Sequence, residues 1–141
     1  MNISDLRRRA DSGNVVAQSV LGICYLDGTE VEVNYQEAFR LLSAAAEKGA
    51  PRALANLARM HAAGLGIPRN LPEAIRLFEK SAKAGEFLAQ IELARMYSGG
   101  IGVPVDGDAA LKWYSAAAAQ EGRLGDCEEL REAKAYIANA T

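Results

Sequence analysis

Residues 17–28 read AQSVLGICYLDG, residues 53–64 read ALANLARMHAAG, and residues 89–100 read AQIELARMYSGG. Overlaid at a shift of 36 residues, they align Ala17/Ala53/Ala89, Leu21/Leu57/Leu93, Gly22/Ala58/Ala94, Tyr25/His61/Tyr97 and Gly28/Gly64/Gly100. Within each copy the small and apolar residues recur at i, i+4 and i+8, which places them on one stripe of an α-helix. The glycine then ends the helix, because a residue without Cβ takes the left-handed conformation after a helix C-terminus at no steric cost. A period of this length means stacked supersecondary units, none of which buries its apolar face alone.

Outward from each copy the register continues. Val31, Ile67 and Val103 follow the glycine, and Pro68 and Pro104 block helix continuation in two of the joints. Asn34 with Glu37, and Asn70 with Glu73, have the spacing of an N-cap and its N3 partner, with the glutamate reaching back to the cap. Asp106 keeps the cap in the third copy, and Pro72 sits in a first turn that tolerates it. A second helix follows in each copy, its inward stripe formed by Ala38/Ala74/Ala110, Leu42/Phe78/Tyr114 and Ala46/Ala82/Ala118. Gly49 and Gly85 close it, and Gly122 is read as the third closing glycine, one residue late. Alternation of large side chains with alanine and glycine lets helix backbones approach closely.

At the ends, Leu6, Ala10 and Gly13 stand one period before Leu42, Ala46 and Gly49. The N-terminal stretch therefore reads as a lone second helix. Leu130, Ala133 and Ile137 mark a last amphipathic helix with charged residues between them, suited to cap the array. The expected organisation is a half repeat over 2–16, repeats over 17–52, 53–88 and 89–122, and a capping helix over 123–141. No segment alternates as a strand would, so the predicted class is all-α.

With 141 residues, half of them hydrophobic, the chain can fold. Its net charge of −2 gives no basic footprint for nucleic acid, and Arg7-Arg8-Arg9 is balanced by Asp5 and Asp11. The first twenty residues lack the apolar core of a signal peptide, and no stretch is long and uncharged enough to span a bilayer. A cytoplasmic location and a monomer are the expectations. Two cysteines make no disulfide framework, and Cys24 shares its column with Met60 and Met96, an apolar packing position.

Catalytic constellations are scarce. One histidine, His61, excludes paired-histidine metal sites, and it falls in a tyrosine column as a packing residue. The serine-nucleophile signatures are absent. Gly64-x-Gly66 and Gly100-x-Gly102 follow no strand and recur at the repeat period, so they read as helix termination rather than phosphate loops. No catalytic residue, metal ligand or cofactor is expected.

The pattern A-x-x-x-L-G-x-x-Y-x-x-G at Ala17–Gly28, with the cap, the alanine-rich second helix and Ala45-Ala46-Glu47-Lys48-Gly49, resembles the Sel1-like repeat, itself similar to tetratricopeptide repeats. Gly64-Leu65-Gly66-Ile67-Pro68 and Gly100-Ile101-Gly102-Val103-Pro104 match the family's joint more closely than Thr29-Glu30 does, which implies a less regular first joint. The resemblance implies a right-handed α-solenoid of antiparallel helix pairs: three full 36-residue repeats plus terminal capping helices, with first helices lining a concave groove. The expected function is a non-catalytic adaptor that binds a protein or peptide segment there. The alternative, by family analogy, is a cell-wall-related small-molecule binder or hydrolase. The face away from the Ala/Leu/Tyr stripe predicts a groove faced by Ser19, with Ile23, Leu26 and Ile91 as its apolar floor. Arg59 and Arg95, preceded by Asn56 and Glu92, serve as anchors for acidic groups, and Ser98 lies nearer the joint.

Overall fold

Asparagine and aspartate start helices where their spacing predicts. In the computed structural model, which describes residues 2–140, Asn34 Oδ1 accepts the Glu37 N–H at 3.1 Å and Asn70 Oδ1 the Glu73 N–H at 3.1 Å. Asp106 Oδ1 accepts the Ala109 N–H, also at 3.1 Å. Each such cap satisfies a backbone donor that has no partner inside the helix, worth about 1 kcal/mol. The carboxylates of Glu37 and Glu73 turn to Arg40 and Arg76 one helical turn on. Two further caps, Asn2 and Asn14, were not anticipated and start the first two helices.

The described residues form helices and no strand. In order these are α1 (Ile3–Asp11), α2 (Val15–Asp27), α3 (Tyr35–Glu47), α4 (Pro51–Ala63), α5 (Leu71–Lys83), α6 (Phe87–Gly99), α7 (Gly107–Ala118), the short α8 (Glu121–Leu124) and α9 (Glu128–Ala140). Thr141, the last residue of the expected cap, lies outside the described residues. The chain packs as two units, Met1–Leu77 and Phe78–Thr141, with α5 running across the division.

In the first unit α2 packs on α1, α3 and α4. Leu21, Leu41 and Leu42 are at most 2% exposed, and burial of each leucine contributes about 1.5–3 kcal/mol. Gly22 lets the two backbones close, since a Cβ there would lie 2.7 Å from Leu42 Cγ. In the second unit α7 packs on α6 and α9, around Leu93, Trp113, Tyr114 and Leu130. A tie recurs two periods apart: Lys48 Nζ donates to the Gly13 carbonyl at 2.9 Å, and Gln120 Nε2 to the Gly85 carbonyl at 3.0 Å.

Gly28, Gly64 and Gly100 cap α2, α4 and α6 at φ +74, +68 and +67. The first joint is as regular as the others: Glu30 takes φ +65 where Gly66 and Gly102 take +71 and +73. The closing role assigned to Gly122 does not hold. Helix α7 ends at Ala118, Gly122 lies inside α8, and the left-handed glycine is Gly125 at φ +71.

Candidate functional site

A first helix in this array is enclosed by more neighbours than an ordinary surface helix. In α2 the buried positions are Ala17, Gln18, Ser19, Leu21, Gly22, Cys24 and Leu26. At 100° per residue, the exposed Val16 and Asp27 and the half-buried Val20 and Ile23 share an arc of roughly 60°, with Val15 and Tyr25 half-buried outside it. The same arc recurs one period later on α4, as Arg52, Asn56, Arg59 and Ala63, and on α6, as Leu88, Glu92, Arg95 and Gly99.

The predicted groove floor therefore changes. Ser19, Leu26 and Ile91 are 6%, 4% and 0% exposed, so they are interior packing rather than groove surface. The prediction treated the first helix as buried on one face, whereas α1, α3 and α4 enclose α2 on most of its circumference. Ile23, Asn56, Arg59, Glu92, Arg95 and Ser98 are at least partly accessible. On the arcs of the first helices the large apolar side chains that reach solvent include Val16 at 68% and Leu88 at 53%, with Val20 and Ile23 half-buried. Val16, Val20, Leu88 and Arg52 escaped the sequence reading, whereas Ile23 was among the predicted floor residues. The Val16/Arg52/Leu88 column mixes size and charge where buried columns keep to small or apolar residues, and that contrast was the available signal.

The two arginines meet different environments. Arg59 Nη1 donates to Asn56 Oδ1 at 2.8 Å, and its Nη2 stands 3.4 Å from Asp27 Oδ1, a loose exposed pair. Arg95 is held firmly. Its Nη2 and Nε donate to Glu132 at 2.6 and 2.9 Å, its Nη1 to Glu92 at 2.7 Å, and Tyr114 OH donates to Glu132 Oε2 at 2.7 Å. The forked bonds to Glu132 raise the Arg95 pKa and lower that of Glu132. Burial, with the Glu132 hydrogen bond adding to it, pushes Tyr114 up to about 12. Arg95 thus braces α9 against α6, and Ser98 Oγ donates to the Arg95 carbonyl at 3.2 Å.

On the α2–α4 face a cavity of about 300 Å³ opens between Val20, Ile23, Cys24, Asp27, Thr29 and Arg52. The Cys24 thiol lies buried there. Burial raises its pKa, with the charges of Glu30 and Asp27 adding, so it stays protonated and unreactive at neutral pH. His61 stands edge-on to Phe39 at 6.3 Å, as a packing residue would. Among the described residues no group of three or more metal-ligating side chains converges, and no helix is long and apolar enough to cross a membrane.

Helix pairs repeating at a fixed period, with one open stripe on each first helix, define an all-α repeat array of the solenoid class. The Sel1-repeat family model matches residues 15–49, 51–86 and 88–121, and the chain belongs to that family. Among solved structures, a Sel1 repeat protein from Oxalobacter formigenes is 42% identical over 96% of each chain, with a TM-score of 0.77. A protective antigen of uropathogenic Escherichia coli displaying the same fold is 27% identical, with a TM-score of 0.77; the match covers 98% of this chain and 33% of the antigen. Cysteine-rich protein B of Helicobacter pylori shares the fold at 20% identity and a TM-score of 0.69, over 94% of this chain and 97% of its own. A search of curated proteins returned no match. Repeats of this kind generally mediate protein–protein interaction, and proteins built from them are typically non-enzymatic scaffolds.

Proposed function

We propose that this chain is an adaptor that holds a segment of a partner protein against the open stripes of the first helices α2 and α4, without turnover. One observation carries the reading. On α2 and α4 the remaining positions are buried or half-buried, while the open arc carries valine, isoleucine, aspartate, arginine, asparagine and alanine in no repeated order. Val16, 68% exposed, shares the α2 arc with the half-buried Val20 and Ile23, and Arg52, Asn56 and Arg59 give the α4 arc a polar character. A varied stripe on a regular scaffold is how repeat arrays present a binding surface.

Site-specific photo-crosslinking tests this. A benzoylphenylalanine at position 16 or 56 should give a discrete adduct in cells producing the protein, whereas one at Lys80, exposed on α5, should not. The adducted protein, identified and purified, should then bind the unmodified chain with one-to-one stoichiometry. Adducts confined to position 80, or none at any position, would reject the reading.

A further inference from the structure

Among the accessible cations of the first helices, Arg52 differs from the others. Arg59 has Asn56 and Asp27, and Arg95 has Glu132 and Glu92. The Arg52 guanidinium meets no acidic side chain among the described residues, yet it lines a cavity of the α2–α4 face whose walls include Val20 and Ile23. Opposite charge gathers around Asp27, which this cavity shares with an open trough of about 750 Å³ lined also by Glu30, Val31, Glu32 and Val33. Glu30 and Glu32 are exposed and have no cationic partner among the described residues. The result is an apolar recess with an unpaired cation on its wall and unpaired carboxylates beyond its Asp27 side.

We infer that this recess takes one aliphatic side chain of an internal partner segment, flanked by an acidic residue that pairs with Arg52 and by a basic residue that lies toward Glu30 and Glu32. The inference rests on the adaptor reading and adds the partner's chemistry to it. A cavity of about 300 Å³ sits at the lower limit for small-molecule sites and suits one or two protein side chains. Charges of both signs around one apolar recess suit a chain that passes over it with an acidic side chain before the inserted residue and a basic one after it, or the reverse. Val16 lies on the same open arc of α2 and extends the apolar surface beyond the recess. Charge pairing at such an exposed rim contributes mainly register and discrimination between partners, while the inserted side chain supplies the apolar contact.

The test uses the full chain, isotopically labelled, titrated with heptapeptides blocked at both ends. Two carry a central leucine with glutamate two positions to one side and lysine two positions to the other, one in each order. Controls replace the leucine by glycine, or make both charges glutamate or both lysine. At least one mixed-charge peptide should give saturable shifts at the amides of Val20, Ile23 and Thr29 and at Arg52 Nε. The leucine-to-glycine peptide should bind at least about fivefold more weakly. In Arg52→Glu the preference should move to the di-lysine peptide by about fivefold, the upper end for an exposed ion pair. That variant should fold normally, because position 52 is exposed in the first turn of α4, where a carboxylate suits the helix dipole.

Equal binding of the glycine peptide, shifts confined to α7 or α9, or no saturable shift up to about 10 mM, beyond the millimolar range such a single contact reaches, would overturn the inference. Failure here with adducts still formed at positions 16 and 56 overturns the recess chemistry alone. Failure of both removes the adaptor reading as well.

Discussion

Glu30 occupies a backbone conformation that the chain gives to glycine in its other two joints, and the cost of that choice is measurable. A side chain at left-handed φ costs about 1–2 kcal/mol, against about 0.5–1 kcal/mol for the extra freedom glycine loses on folding. Glu30→Gly should therefore stabilise the fold by roughly 0.5–1 kcal/mol, read as a higher urea midpoint at unchanged slope. Gly66→Ala should move the other way by about 2 kcal/mol or more. It meets the same left-handed penalty at φ +71, and its Cβ would lie 2.4 Å from Tyr35 Cβ. A Gly66→Ala variant with a wild-type midpoint would show that the joint does not hold the geometry described. At this scale much was legible. The left-handed glycines at 28, 64 and 100 and the caps at 34, 70 and 106 declare themselves because each residue type has a local backbone reason to be there. The misreading of Gly122 arose because one extra residue near Ala119 broke the register, and local rules carry no information about where a slipped turn reseats.

Between elements, the Arg95–Glu132–Tyr114 cluster joins α6, α7 and α9 through groups 37 and 18 residues apart. Glu132 has its pKa lowered mainly by the Arg95 hydrogen bond. Its contribution to stability is accordingly present above the ordinary carboxylate range and is lost as pH falls through its depressed folded value. Glu132→Gln should lower stability at pH 7 by about 1.5–3 kcal/mol, the range for hydrogen bonds to a charged group. It should also flatten the acid side of a stability–pH profile measured by denaturant melts. An unchanged acid limb in the variant would mean that the cluster does not couple to folding. Tyr114 acts at the alkaline end. With its folded pKa raised to about 12 and an unfolded value near 10, its contribution is complete below about pH 10 and lost as pH rises toward 12. Phenolate absorbance should show a late-titrating tyrosine that disappears in Tyr114→Phe. None of this cluster was readable beforehand, because Glu92 three residues before Arg95 supplied an adequate intrahelical partner and nothing local points to Glu132. The groove floor was misread for a related reason. Periodicity identifies the most apolar stripe, but α2 is packed on three helices, so Ser19 and Leu26 went inside and the open arc shrank to the positions of Val16, Val20 and Ile23.

Across the whole chain, stability should follow the number of neighbours each helix has. In the first unit α2 touches α1, α3 and α4, while α1 rests chiefly on α2, adding only Leu6 and Ala10 to the interior. In the second unit α7 packs on both α6 and α9, while α9 buries only Leu130 and Ala133. In a quasi-one-dimensional array the opening free energy of an element is a sum over its own stability and its contacts with neighbours, so elements with fewer contacts open first. Native-state hydrogen exchange on the full chain should therefore find the amides of α1 at least about tenfold less protected than those of α2, and those of α9 likewise below α7. Breaking the clamp sharpens the second contrast. In Glu132→Gln the protection of α9 should fall while that of α2 stays as it was, because the partners described for Glu132, Arg95 and Tyr114, both belong to the second unit. Protection that drops equally in α2 and α9 would mean that the array unfolds as one cooperative body. The open stripes would then be no more independent of the terminal helices than the interior is.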